Sequence, residues 1–200
     1  MSDRSSRMPA KDAIAAVHTA RRARDIVVTT MNPARDWMAL GMSDLDMVLV
    51  PSAMSHATSM GLGLALAQPA RRVIVCNGDG SMLMNLGSLA SIVNAAPKNL
   101  VVLVFDNGTY EVTGSQPVPG AGTVDYAAVA RGCGFTSVFE FSDLDDWTRA
   151  VSNIVAANGP TFVWLKVEPV YGLPGPKSPG PAGERARRFM GALRSTAEKT

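Results

Sequence analysis

Short apolar segments of strand length alternate along this chain with segments of helical periodicity, and this alternation restricts the fold more than any other feature. The apolar segments, such as residues 73–76 and 100–105, are hydrophobic at every position rather than at every second one. Strands of this kind are typical of parallel sheets whose two faces are both covered by helices. We therefore predict an α/β fold in three layers, a doubly wound parallel sheet with helices on both faces.

Individual elements follow from the periodicity and from the positions of glycine and proline. The predicted strands cover residues 25–30, 47–50, 72–77, 99–105, 135–141 and 161–167. The predicted helices cover residues 10–23, 33–40, 56–67, 81–95, 126–131, 143–157 and 184–197, the fourth with a break near Gly87. Gly61 and Gly63 lie inside the third helix, where glycine lowers helix stability, so we expect another element to approach that helix closely.

The domain organisation is expected to be simple. Residues 1–9 are polar and are expected to form a disordered N-terminal tail, and residues 10–168 form the folded domain. Residues 169–200 are expected to be a Pro/Gly-rich extension whose final helix packs on the domain or on a partner through Phe189, Met190 and Leu193. Apolar residues make up 46% of the chain, which is enough for a packed core in a domain of this size.

Composition argues against several functional classes. The net charge of +2 is too small to indicate a nucleic-acid partner. Cys76 and Cys133 are far apart, which argues against a disulfide framework and against a zinc or iron–sulfur site. No apolar run approaches the roughly 20 residues of a membrane span, and the polar N-terminus does not resemble a signal peptide. We expect no nucleic acid, no membrane and a cytoplasmic location.

Two of the predicted strands run directly into glycine-rich polar segments. The strand over 72–77 leads into Gly78-Asp79-Gly80-Ser81, and the strand over 99–105 leads into Asp106-Asn107-Gly108-Thr109-Tyr110. Ligands of open α/β sheets bind beyond the carboxyl ends of the strands, so the two segments meet at one edge if the strands are neighbours. Carboxylate and amide oxygens are hard ligands for Mg²⁺ or Ca²⁺, and flanking glycines with a helix N-terminus suit phosphate.

Each segment by itself is a common turn sequence. The presence of both, each directly after an apolar strand, is a much more specific indication of a binding site. Leu83 stands where a nicotinamide fingerprint needs its third glycine, so that interpretation is excluded. The two segments resemble instead the diphosphate-binding motif of thiamine diphosphate enzymes. Residues 52–67, residues 110–116 and the tail ending in Arg188-Phe189-Met190 are similar to sulfopyruvate and phosphonopyruvate decarboxylases, and the resemblance covers about residues 10–195.

The resemblance implies a metal–diphosphate site. Asp79, the side chain of Asn107 and the backbone carbonyl of Thr109 would ligate Mg²⁺, with diphosphate oxygens and a water completing an octahedron. Gly80 and Ser81 would donate hydrogen bonds to the diphosphate. On this basis residues 10–168 are expected to be the diphosphate-binding (PP) domain of the thiamine diphosphate-binding fold.

The resemblance also implies how the thiamine moiety is held. Met54 would support the bent cofactor, although by its composition it could equally be a core methionine, and the carbonyl of Ser52 would accept a hydrogen bond from the aminopyrimidine. Gly78 and Tyr110 complete the expected cofactor-binding set. The family usually has glycines beside the methionine, whereas this chain has Ala53 and Ser55.

Two further residues have open roles. His56 could reach diphosphate or substrate, or could be a structural histidine at a helix start. Glu111 could face the entrance of the active site, or could be a solvated acid in a first helical turn.

The functional expectation is one subunit of a two-subunit thiamine diphosphate-dependent 2-oxo acid decarboxylase, similar to the beta subunit of sulfopyruvate or phosphonopyruvate decarboxylase. No catalytic residue is assigned firmly to this chain, because the glutamate that activates the cofactor belongs in this family to a separate pyrimidine-binding domain. That domain is expected on a partner, in an α2β2 or larger hetero-oligomer. The alternatives are a subunit of a carboligase or of a 2-oxo acid oxidoreductase, and a non-catalytic regulatory homologue.

Overall fold

The computed structural model describes residues 7–50 and 53–195. The strands are β1 Ile26–Thr30, β2 Asp46–Leu49, β3 Val73–Gly78, β4 Leu100–Asp106, β5 Thr109–Tyr110, β6 Gln116–Pro117, β7 Ser137–Phe141 and β8 Thr161–Lys166. The helices are α1 Ala10–Ala20, α2 Met31–Leu40, α3 Ala57–Ala67, α4 Asp79–Leu83, α5 Gly87–Ala95, α6 Tyr126–Gly132, α7 Leu144–Ala156 and α8 Ala182–Ser195. Within these residues no helix is both long enough and apolar enough to cross a membrane.

Six strands form one parallel sheet in the order β2-β1-β3-β4-β8-β7, which confirms the predicted α/β fold. The central strands β3 and β4 are buried along nearly their whole length because helices cover both of their faces. Their register pairs Gly78 with Phe105, so the two strands end side by side at the same edge. This register brings together the two segments on which the functional prediction rests.

The core lies in two layers, one on each face of the sheet. On one face α1, α2 and α7 pack around Ile14, Trp37 and Trp147. Both tryptophans are fully buried and have partners for their indole N–H groups, since Trp37 donates to Asp46 and Trp147 donates to the carbonyl of Ala13. On the other face α3, α5, α6 and α8 pack against the sheet, with Phe135 and Phe162 in edge contact.

The N-terminal boundary was predicted wrongly. Met8 is 2% exposed and forms a parallel bridge to Val167 just after β8, and Arg7 donates hydrogen bonds to the carbonyls of Asp106 and Val167. Residues 7–9 therefore belong to the folded domain, and the remainder of the predicted tail lies outside the described residues. Because the residues around Met8 are polar, the sequence did not show that Met8 itself is buried in the domain.

Smaller differences concern element ends. The helix predicted from Ser81 begins two residues earlier, at Asp79, and the predicted break appears as the gap between α4 and α5. Residues 107–122, for which no strand or helix is predicted, contain the antiparallel pair β5–β6 and one 3-10 turn over Glu111–Thr113. In α8, Phe189 and Leu193 pack on the domain as expected, but Met190 is 51% exposed because it faces away from the sheet.

The two glycines of α3 differ in what surrounds them, and this difference gives a stability prediction. A Cβ on Gly61 would lie 2.2 Å from Val75 Cγ2, whereas a Cβ on Gly63 would meet nothing within 4 Å. We expect Gly61→Ala to lower the free energy of unfolding by about 1–3 kcal/mol through overpacking. Gly63→Ala should raise it by roughly 0.5–1 kcal/mol through helix propensity.

Urea unfolding of the two alanine variants tests this reading of α3. If Gly61→Ala and Gly63→Ala change the free energy of unfolding equally, α3 does not approach β3 as closely at Gly61 as described.

Candidate cofactor-binding site

The two glycine-rich segments are in direct contact at the edge of the sheet. Asp79 is the first residue of α4, immediately after β3, and its Oδ2 accepts a hydrogen bond of 2.9 Å from the backbone N–H of Gly108. The same N–H lies 3.1 Å from Oδ1 of Asp106, the last residue of β4. One amide therefore joins two neighbouring carboxylates at the strand ends.

Asp79 is a buried carboxylate in negatively charged surroundings. It is 3% exposed, and burial together with the nearby charge of Asp106 raises its pKa well above the usual range of a carboxyl group. The described residues form no ion pair with Asp79, while Asp106 is held by the indole N–H of Trp164 at 2.9 Å. A cation bound beside Asp79 would offset the cost of placing these two charges together.

Asn107 is held by hydrogen bonds at both ends of its amide. Its Oδ1 accepts from the backbone N–H of Thr109 at 2.9 Å, and its Nδ2 donates to Oε1 of Glu111 at 2.8 Å. The hydroxyl of Thr109 is buried and has no hydrogen-bond partner in the described part of the chain. The loop thus presents a fixed amide and an unsatisfied hydroxyl at the same edge.

A cavity opens at this edge between the ends of the strands and α2. Nearly all the site residues expected from the sequence line it: Met54, Gly78, Asp79, Gly80, Ser81, Asn107, Thr109, Tyr110 and Glu111. Ser52 lies outside the described residues.

His56 is separate from the cavity. Its ring is exposed at the start of α3, and Nδ1 lies 2.8 Å from the carbonyl oxygen of Met54 and 3.1 Å from the hydroxyl of Ser55. These contacts fit a turn-forming histidine, which was the structural alternative considered from the sequence.

Two hydrogen bonds attach the loop that carries Met54 to the segment after β3. The N–H of Ser55 donates to the Ser81 hydroxyl at 2.9 Å, and the side-chain amide of Asn85 donates to the carbonyl of Ser55 at 2.8 Å. Ser55 adopts a positive φ of 72°, the left-handed region that glycine favours. This explains why a glycine is usual beside the methionine in the resembled family and shows that a serine can occupy the position.

The two glycines of the first segment, Gly78 and Gly80, differ in whether the structure has room for a side chain at their positions. A Cβ on Gly80 would lie 2.4 Å from Cε1 of Tyr110, whereas a Cβ on Gly78 would meet nothing within 4 Å. Gly80 is therefore required by the aromatic ring that packs on it. The sequence interpretation, which attributed both glycines to approach by phosphate, missed this contact.

Sequence reasoning also missed the contribution of α2. Asn32 and Arg35 line the cavity, and each has a buried polar atom without a hydrogen-bond partner among the described residues, Oδ1 of Asn32 and Nη1 of Arg35. The signal that could have located them is topological. β1 lies beside β3 in the sheet, so the residues that follow β1 reach the same edge.

Glu111 lines the cavity and is buried, so it is not the solvated first-turn acid considered from the sequence. It is 5% exposed and accepts hydrogen bonds from Asn107, from Asn32 and from the backbone N–H of Val170. Nη1 of Arg35 lies 3.9 Å from its Oε2. Glu111 joins three segments of the chain in the wall of the cavity.

The donors at this edge suit a hard divalent cation. The described residues contain no group of three or more His, Cys, Asp or Glu side chains placed to hold a metal ion. A metal here would therefore be held by one carboxylate, one amide oxygen and backbone or ligand oxygens, which is the donor set that Mg²⁺ accepts together with phosphate.

Comparison with known proteins gives a family and close relatives. A family model described as the thiamine pyrophosphate enzyme, C-terminal TPP binding domain, matches residues 28–165. A phosphonopyruvate decarboxylase of Streptomyces viridochromogenes is 42% identical over 168 residues, which cover 82% of this chain and 42% of that protein. The sulfopyruvate decarboxylase subunit beta of Methanothermobacter thermautotrophicus is 44% identical over 117 residues, covering 58% of this chain and 60% of that subunit.

Solved structures show the same fold. The thiamine diphosphate-dependent 4-hydroxybenzoylformate decarboxylase of Rhodococcus jostii RHA1 superposes with a TM-score of 0.69 at 22% identity, over 82% of this chain and 33% of that chain. This chain thus spans less than half the length of the phosphonopyruvate decarboxylase and about a third of the superposed enzyme.

Proposed function

This chain belongs to the thiamine pyrophosphate enzymes through its C-terminal TPP binding domain, and from that premise we propose that it is the diphosphate- and metal-binding subunit of a 2-oxo acid decarboxylase. Thiamine pyrophosphate, also called thiamine diphosphate, is the cofactor of the family. The observation that carries the proposal is the contact between Asp79 and the Asn107 loop across two neighbouring strand ends.

The metal is proposed to be Mg²⁺, held by Asp79, Asn107 and the carbonyl of Thr109. Support comes from the buried carboxyl groups of Asp79 and Asp106, because the raised pKa of Asp79 means that a second negative charge is disfavoured there unless a cation offsets it. Gly80 and Ser81 are proposed to donate to the diphosphate, because they begin α4 beside the carboxylate. A metal neutralises both the carboxylate and the diphosphate, and this explains how two groups of the same charge can share one site.

The remaining cavity residues are proposed to hold and enclose the thiamine part of the cofactor. Met54 lines the cavity on a loop that two hydrogen bonds fix to the segment after β3, and it is proposed to support the rings. Tyr110 packs on Gly80 beside the diphosphate position and is proposed to close the site to water. When bound, the cofactor supplies a nucleophilic carbon and an electron sink for loss of CO₂ from a 2-oxo acid.

A second subunit is proposed to complete the active site. The names of several relatives, which are beta subunits of sulfopyruvate decarboxylase, support this arrangement. That subunit would carry the pyrimidine-binding domain and the activating glutamate. A 2-oxo acid with a sulfonate or phosphonate group is the proposed substrate class, because the relatives act on sulfopyruvate or phosphonopyruvate according to their names.

Reconstitution tests the proposed function. The chain, its candidate partner encoded nearby and their mixture are each supplied with thiamine diphosphate and Mg²⁺, and CO₂ release from a panel of 2-oxo acids is measured. We expect release from the mixture alone, and fastest from the sulfonated or phosphonated acids. Carboligation products, or reduction of an added electron acceptor together with CO₂ release, would indicate the alternative uses of the cofactor.

Two outcomes contradict the proposal. Turnover by this chain alone would show that the site is complete without a partner. Metal-dependent cofactor binding with no turnover in any mixture would favour a regulatory homologue.

A further inference from the structure

Glu111 occupies a place in the site for which cofactor binding alone gives no reason. It begins the 3-10 turn directly after β5, and its side chain is buried in the wall of the cavity, where hydrogen bonds to other residues occupy both of its oxygens. Its Oε1 accepts from Nδ2 of Asn107 and from the N–H of Val170, both at 2.8 Å. Its Oε2 accepts from Nδ2 of Asn32 at the start of α2.

The contact with Asn107 determines which end of that amide faces which way. A carboxylate only accepts hydrogen bonds, whereas an asparagine amide has one donating end and one accepting end. With Nδ2 on Glu111, Oδ1 takes the N–H of Thr109 and keeps a second lone pair for another ligand. A reversed amide would present its NH₂ group where a metal needs an oxygen.

We propose that Glu111 is a positioning residue for the metal site and that it acts by holding the Asn107 amide with its oxygen available to the metal. The inference rests on the proposed function and deepens it. Glu111 touches neither metal nor substrate, and its effect passes through Asn107. Outer partners of this kind typically change metal affinity 10–100-fold when they are removed.

The role needs an acceptor on the side of Asn107 but does not need a charge. Glu111→Met removes both acceptors at nearly constant length and should raise the Mg²⁺ concentration for half-maximal thiamine diphosphate binding about 10–100-fold. Glu111→Gln can keep its oxygen toward Asn107 and turn its NH₂ group toward Asn32, whose amide would reverse so that Oδ1, which has no partner among the described residues, accepts from it. The glutamine variant should therefore stay within a few-fold of the unaltered protein, on the order of threefold.

A second substitution separates orientation from general damage to the fold. Aspartate at position 107 has two equivalent oxygens, so its orientation no longer matters. Glu111→Met should therefore lower metal affinity when Asn107 is present but should not lower it in the Asn107→Asp background, where it also removes the like charge beside residue 107. A purely structural role of Glu111 would weaken metal binding equally in both backgrounds.

The measurement is calorimetric binding of thiamine diphosphate to the reconstituted complex over a range of Mg²⁺ concentrations, with metal-free thermal unfolding as the check on folding. The inference is overturned if Glu111→Met leaves the half-saturating Mg²⁺ concentration unchanged, or if the Asn107→Asp background gives no rescue. If the unaltered complex binds thiamine diphosphate without metal, the result would contradict the proposed function itself and not only the role of Glu111.

One further comparison remains decisive if Glu111→Met does not fold. Asn107→Asp places a carboxylate beside Glu111, and the repulsion should weaken metal binding. Adding Glu111→Gln supplies a donor to that carboxylate and should strengthen metal binding again, whereas the same glutamine beside Asn107 should not. Absence of this reversal would contradict the inference.

Discussion

Asp79→Ala is expected to abolish Mg²⁺-dependent binding of thiamine diphosphate while leaving the fold intact. Asp79 is the proposed anionic ligand from this chain, so its loss should exceed the roughly 10–100-fold effect typical of outer partners. The fold should survive because the carboxylate is buried beside Asp106 and forms no ion pair among the described residues. Relief of that repulsion should leave the metal-free free energy of unfolding unchanged or slightly higher.

Two variants give the controls for Asp79→Ala. Asp79→Asn keeps an acceptor for the N–H of Gly108 but loses the charge, so it separates the hydrogen bond from metal binding. Asp145→Asn makes the same chemical change on the exposed face of α7 and should alter neither binding nor stability. Calorimetry on the assembled complex with unchanged affinity for Asp79→Ala would show that the metal is held elsewhere.

Gly80→Ala is expected to disrupt the site through packing rather than through ligand chemistry. The new Cβ would lie 2.4 Å from Cε1 and 3.1 Å from Cδ1 of Tyr110, so the ring has to move. Overpacking of this kind typically costs about 1–3 kcal/mol, and the displaced ring would also enter the cavity that the cofactor is proposed to fill. Both the free energy of unfolding and the cofactor affinity should therefore fall.

Gly78→Ala is the matched control for Gly80→Ala. Its added Cβ would meet nothing within 4 Å, and its φ of −89° with ψ of 158° is open to any residue. The free energy of unfolding of the metal-free chain should therefore be unchanged by Gly78→Ala. Equal destabilisation by the two substitutions would contradict the account of Gly80, and Tyr110→Ala should relieve the cost of Gly80→Ala if that account is right.

Residues fixed by local sequence patterns could be predicted well. The apolar runs of β3 and β4 marked buried parallel strands, and their following polar residues marked one edge of the sheet. Pattern and spacing thus sufficed to bring Asp79 near Asn107. They could not show that a single amide, the N–H of Gly108, connects the two segments, because that depends on the register between strands.

Residues whose roles depend on distant partners could not be predicted. The sequence left two roles open for Glu111, at the active-site entrance or as a solvated acid, because its partners Asn32 and Val170 lie 79 and 59 positions away along the chain. Met8 looked like part of a tail because the strand it joins comes at the other end of the domain. Gly80 looked like a phosphate-binding glycine because the Tyr110 ring that excludes a side chain reaches it only in three dimensions.

We propose that this chain contributes half of an active site, a metal–diphosphate site at two strand ends in which Glu111 holds Asn107. The carboxyl groups of Asp79 and Asp106 lie close together at this edge, and Asn107 offers a neutral oxygen beside them. A bound cation would offset the charge of the carboxylates and of an anionic cofactor. Cofactor binding is therefore expected to depend steeply on metal.

The most direct measurement is a crystal structure of the assembled complex grown with thiamine diphosphate and Mn²⁺, in which anomalous scattering locates the metal. The account predicts one Mn²⁺ at about 2.1 Å, the metal–oxygen distance of Mg²⁺ sites, from an oxygen of Asp79, Oδ1 of Asn107 and the carbonyl of Thr109, with the diphosphate on its far side. A bound cofactor whose diphosphate has no metal at this edge, or a metal that does not touch Asp79, would contradict it.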